Sequence, residues 1–207
     1  YQLYGQVIVD EFKLGALRED IGWWGNKFGA QIGLKAIDFL GIQFLDLQGE
    51  FNAVRPYTYT HRRSFDDYEI SKANYSHFSQ PLAHPLGANF YELMWDLRYR
   101  FGNRWFVHPR VLLSAQGVDG DGPNIGANIL LDYQSRAGND NQRFLQGNRV
   151  NTQLYAFNLS YEVFRHSFVD LNIQYRNAVS AVESYDDRSF YIGLGIRMNY
   201  YEAYQDY

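Results

Sequence analysis

The chain has no cysteine in its 207 residues. That removes disulfide scaffolds, thiolate zinc sites and cysteine nucleophiles together, and it is compatible with an exported bacterial protein. No apolar run approaches the ~18 residues that a membrane helix needs. This absence leaves β-barrels untouched, because their strands carry a weaker, alternating signal. No basic block could track a phosphate backbone, and the formal net charge is −4, so nucleic acid is not expected as a partner. No serine sits in a GxSxG setting and no phosphate loop occurs, so acyl-transfer and nucleotide chemistry have no motif here. No internal repeat or linker appears beyond a rhythm of hairpins. The first residue is Tyr rather than Met and no signal peptide is present, which fits a processed chain or a piece of a longer polypeptide.

What the chain does have is aromatic residues, with 18 Tyr, 15 Phe and 4 Trp, and strict alternation. In residues 91–101, Tyr91, Leu93, Trp95, Leu97, Tyr99 and Phe101 alternate with Glu92, Met94, Asp96, Arg98 and Arg100. Successive strand side chains point to opposite faces, so this is a strand with one apolar and one charged wall. The same pattern predicts strands over 3–12, 27–36, 43–54, 104–116, 150–164, 167–179 and 189–201. Pro109 in the fifth of these needs an edge, a bulge or a missing ladder bond. Connections alternate between long and short, with a tight two-residue turn expected at Gly102-Asn103. Segment 125–135 could be a ninth strand, but even strand counts and short inner turns assign it to a loop as a short helix or hairpin.

Two aromatic girdles are also expected. Phe39, Phe44, Phe101, Trp105, Phe164 and Phe168 fall at the short-turn end, and Phe12, Phe28, Phe51, Phe90 and Phe190 at the long-loop end. Nearly every strand has a second face rich in charge or amide. Together these features predict an all-β fold, an antiparallel transmembrane β-barrel with eight strands in this chain, placed in the cell outer membrane against lipid and lipopolysaccharide. A soluble β-sandwich shows each feature only singly.

The segments YGQVIVDEFKL (4–14), GWWGNKFGAQIGLK (22–35), LQGEFNAVRPYTYTH (47–61) and NYSHFSQPLAHPLGANFYEL (74–93) resemble outer-membrane capsule-assembly proteins of the Wzi-like family. The likeness is to the branch annotated for gliding motility in gliding bacteria. Its most specific element is SQPLA (79–83) followed by HPLGAN (84–89). The resemblance implies a large barrel that binds surface polysaccharide and helps hold capsule on the cell. It also implies that residues 1–207 are the C-terminal portion of a longer barrel, one domain with further strands before it.

Candidate polysaccharide ligands lie in the long loops: Trp23, Trp24, Tyr57, Tyr59, His61, His77, Gln80, His84 and Asn89, with Tyr75 in the same aromatic group. Flat rings stack on sugar rings, and amides bind hydroxyls. Each aromatic is equally readable as a girdle anchor or as loop packing. The spacing of His61, His77 and His84 matches no compact zinc motif, and VDGDGPN (118–124) lacks the ligands of a calcium loop after Asp119 and Asp121, so no metal or cofactor is expected. The interior-facing polar set is Glu50, Glu92, Asp96, Arg98, Arg100, Arg110, Arg176 and Arg197, with Glu162 and Asp170 beside them. Paired carboxylates invite a glycosidase reading. Cross-strand charge pairing explains them more simply, and no enzyme is expected. The alternatives are a pore or transport component, and a structural subunit of a larger outer-membrane complex with other membrane proteins. The Arg62-Arg63 pair is expected on the cell surface.

Overall fold

The computed structural model describes residues 1–61 and 73–198. The Arg62-Arg63 pair, the end of the last expected strand at 199–201 and the terminal Tyr207 lie outside the described residues. The strands are β1 (Gln2–Glu11), β2 (Lys27–Ala36), β3 (Leu45–Val54), β4 (Ser76–His77), β5 (Gln80–Pro81), β6 (Phe90–Phe101), β7 (Trp105–Val118), β8 (Asn148–Phe164), β9 (Ser167–Ser180) and β10 (Asp187–Met198). A short helix α1 (Leu14–Arg18) follows β1. Eight strands make one antiparallel sheet in the order β1-β2-β3-β6-β7-β8-β9-β10, and β4 and β5 pair as a separate small hairpin. Among the described residues β1 and β10 each have a single neighbour, so the sheet is open at both edges.

Register carries the alternation from strand to strand. One row reads Leu3, Leu34, Gly49, Trp95, Val111, Tyr155, Tyr175 and Phe190, each directly opposite the next. The neighbouring row reads Gln2, Lys35, Gln48, Asp96, Arg110, Ala156, Gln174 and Tyr191. Because side chains in register share a face, the sheet has one apolar side and one polar side along its whole width. Gly49 belongs to the apolar row for a steric reason. A Cβ there would come 2.5 Å from Trp95, whose ring lies over the glycine.

Polar side chains are buried on one face while apolar side chains are exposed on the other. On the polar face Asn52, Glu92 and Asp96 are 5%, 7% and 8% exposed, while Ile32 and Phe101 on the apolar face are 55% and 61% exposed. The deeply buried apolar side chains lie at the long-loop end instead. There Val54 and Phe90 point to the polar side and pack with Tyr59, Ala88 and Ile129 from the loops. Loops 12–26 and 119–147, together with 55–61 and 73–89, therefore fold as a cap over one end of the polar face.

Several expectations are corrected. The turn after β6 spans Gly102–Arg104, closed by the Phe101–Trp105 pair and helped by a positive φ at Gly102, rather than two residues. The connection from β9 to β10 covers only 181–186, with a 3-10 turn at Glu183–Tyr185, so it is not long. Phe90 is fully buried under the cap and Phe168 points to the polar side, with the Arg197 guanidinium 4.2 Å from its ring centre, so neither is a girdle residue. As expected, the segment 125–135 is loop and not a ninth strand, and it ends in a 3-10 turn, Tyr133–Ser135. Pro109 sits in a central strand, and the β6–β7 pairing skips Leu97 and Arg98 at that point, which is where the missing proline N–H is accommodated.

Candidate ligand cleft and loop cap

The cap is built from polar side chains that tie backbone ends together. Asn89 takes φ of 61° at the start of β6 and is fully buried. Its Nδ2 donates to the carbonyls of Gly117 and Gln146, and its Oδ1 accepts from the Leu145 N–H at 2.7 Å. Every polar atom of this amide is engaged inside the cap. Tyr57 is likewise fully buried and donates its hydroxyl to the Asn124 carbonyl at 2.8 Å. Burial pushes its phenol up to about 12. Asp119 accepts from the Ile125 and Asn128 N–H groups with its two oxygens, which makes it a loop staple.

Lys27, at the first residue of β2, is the side chain that sequence reasoning passed over. It is fully buried, with Nζ 3.1 Å from Glu11 Oε1, 2.9 Å from the Thr60 carbonyl and 3.8 Å from Asp10 Oδ2. The ammonium also lies over the rings of Trp24 and Tyr133, at 5.1 and 4.8 Å from their centres. Trp24 packs against Tyr133 with ring centres 4.7 Å apart and planes tilted by 35°, and the Arg136 guanidinium covers its ring at 4.3 Å. Trp24 is thus the middle of a cation–aromatic stack rather than a surface platform. The only sequence signal for Lys27 was a lysine opening a strand three residues after an aromatic pair.

The remaining loop candidates separate by position. Trp23 is half-buried beside Trp24, with Lys13 above it. His61 is partly exposed, its Nε2 3.7 Å from Asp10 Oδ1 and its N–H on Asn74 Oδ1. His77 and Gln80 stand on the β4–β5 hairpin, whose turn residues Phe78 and Ser79 both have positive φ. Tyr59 and His84 are brought together at one cleft.

That cleft, of about 470 Å³, opens between β1–β3 and the cap. Its floor carries the amides of Gln6, Gln31 and Asn52, and its upper wall Tyr59, Tyr75 and His84. Tyr59 and Tyr75 stack with centres 5.7 Å apart, and Tyr75 is half exposed. His84 lies flat on Phe90 at 4.4 Å. The Leu86 N–H donates to His84 Nδ1, so the ring proton sits on Nε2 and is aimed at Glu92 Oε1, 2.9 Å away. Asn52 bridges Glu92 and Glu50, and Glu50 accepts from the Tyr4 hydroxyl at 2.6 Å.

Below the cleft, the polar row continues as paired charges. Asp96 accepts from Arg98 Nε at 3.0 Å and faces His108 Nε2 at 2.7 Å. Arg197 pairs with Asp170 and Arg176 with Asp187, while Arg100 stacks on Phe44 at 3.7 Å and Arg110 lies across from Asp96. All eight interior candidates from Glu50 to Arg197 share this one face. A second hollow, of about 380 Å³, lies at the short-turn end beside Arg98, Arg100 and His108.

Comparison with protein-family models, with curated proteins and with solved structures finds no match to this chain.

Proposed function

We propose that this sheet is a section of an outer-membrane β-barrel that binds surface polysaccharide, serving capsule assembly and attachment or the organisation of the cell surface in gliding. The observation that carries the membrane reading is the inverted burial, with Glu92 and Asp96 covered and Ile32 and Phe101 exposed. A sheet whose apolar side is its outside loses free energy in water and gains it in lipid. The open edges of β1 and β10 are the natural places for further strands, since free strand edges are not left in a bilayer. The polysaccharide reading rests on the sequence resemblance and on the chemistry of the cleft, where amides and carboxylates lie beside accessible tyrosine. It is a binding role, not an enzymatic one, because the carboxylates there are held by neighbouring side chains. Partners on this reading are outer-membrane lipid, lipopolysaccharide, the glycan and neighbouring membrane proteins.

The direct test is a glycan array probed with the protein folded in detergent, together with an epitope inserted between Phe78 and Ser79. Array binding and epitope labelling on whole cells are the expected results. An epitope reached only after the outer membrane is opened would invert the topology. The second reading, a pore, draws on the continuous polar row and the lower hollow lined by Arg98 and Arg100. Planar-bilayer current unaffected by added saccharide would favour it.

A further inference from the structure

The cleft under the cap carries information about the charge of what it binds, and this step rests on the polysaccharide reading above. Among the described residues lining it, no side chain is Lys or Arg. The buried ammonium of the cap, Lys27, is already engaged by Glu11, Asp10 and the Thr60 carbonyl. The imidazole proton of His84 is committed to Glu92. What borders the space is anionic or neutral: Glu92 and Glu50 behind Asn52, and the amides of Gln6 and Gln31.

We propose that this cleft takes an uncharged saccharide and rejects acidic ones. Sugar hydroxyls both donate and accept, so they match amides and carboxylates equally well. The exposed face of Tyr75, backed by Tyr59, supplies a flat apolar surface for the C–H side of a sugar ring. A uronate in the same place would set a second carboxylate near Glu92 and Glu50 with no Lys or Arg among the described lining residues to balance it, and like charges across a contact oppose binding. The specificity is therefore a repulsion built into the floor as much as an attraction from the walls.

The experiment is calorimetric titration of the full chain, folded in detergent, with four probes: maltohexaose and cellohexaose as neutral chains, hexagalacturonate and hexamannuronate as acidic ones. The expected result is binding of a neutral probe with acidic probes at least about tenfold weaker, corresponding to ~1.4 kcal/mol or more. Tyr75→Ala should weaken the neutral probe by a similar factor, and Tyr75→Phe should restore it, with strand content by circular dichroism unchanged in both. Acidic probes binding as well as neutral ones would overturn the charge inference and leave the polysaccharide reading standing. Neutral binding indifferent to Tyr75→Ala would place the site elsewhere. No binding of either class would overturn the inference and the parent reading together.

Discussion

The loop cap and the apolar face of the sheet follow opposite rules. In the cap, Tyr57, Asn89, Thr60 and Lys27 are fully buried and their polar atoms are matched, as in the interior of any protein surrounded by water. On the sheet, apolar side chains such as Ile32 and Phe101 stand exposed while Glu92 and Asp96 on the other face are buried and held by neighbouring side chains. One chain thus contains an interior made of loops and a strand surface made for apolar surroundings. The difference teaches that burial alone does not define the core of this protein. The cap is held by specific hydrogen bonds and the sheet by its ladder, with its apolar side chains left for the surroundings to cover.

The strongest way to break the cap is to remove its buried cation. Lys27→Met removes the buried cation from Asp10 and the partly exposed Glu11 and should cost about 3 kcal/mol, read as earlier cap opening in limited proteolysis with the strand signal retained. If the cap withstands protease unchanged, the stack around Trp24 is not what holds it. The sheet face is broken differently. Leu97→Arg, on the apolar side opposite Leu47, should destabilise the protein refolded into vesicles by about 2–4 kcal/mol, whereas Met94→Arg on the polar side should cost much less. Equal costs at the two positions would remove the distinction between the faces.

Smaller effects sharpen the contrast. Asn89→Ala frees two carbonyls and one N–H and puts alanine at a positive φ, for roughly 2 kcal/mol in urea unfolding. Smallest is the alkaline response of Tyr57. Its folded phenol is raised to about 12 from 10, so the unfolded chain gives up the proton first. The stabilisation is complete below pH 10 and is lost as pH rises toward 12, amounting to roughly 1 kcal/mol by pH 11. Spectrophotometric titration should show the phenolate of Tyr57 appearing only near pH 12, and a Tyr57→Phe chain lacking that step identifies it. An ordinary midpoint near 10 would mean that water reaches the cap interior.

Strand positions and faces were legible in the sequence because the strand period is two and each apolar wall runs without interruption from Tyr91 to Phe101 or from Phe190 to Ile196. That Glu50, Glu92, Asp96 and the arginines share one face followed from the same count. The cap was not legible. Tyr57, Trp24 and Asn89 were visible as aromatic or amide residues in loops, but side-chain type does not tell whether a loop residue points out toward a ligand or in toward another loop. Lys27 carried almost no signal, since a lysine opening a strand is ordinary until Trp24, Tyr133, Asp10 and Glu11 close around it. Phe90 was misplaced for a related reason: alternation set its face, but the cover that buries it comes from loop residues, His84 and Ala88 beside it and Tyr59 and Ile129 far from it in sequence.

By itself, then, the order of residues determined the eight long strands, which side chains share a face, and which face carries charge, because those depend on chain geometry within a few residues. Only the tertiary structure decided that three separate loops close over one end of the polar face, that Tyr59, Tyr75 and His84 meet Gln6, Gln31 and Asn52 around a single cleft, and that Lys27 is sealed within the cap. Those outcomes depend on contacts between residues dozens of positions apart, such as Asn89 with Gln146 and Tyr57 with Asn124, which no local period encodes.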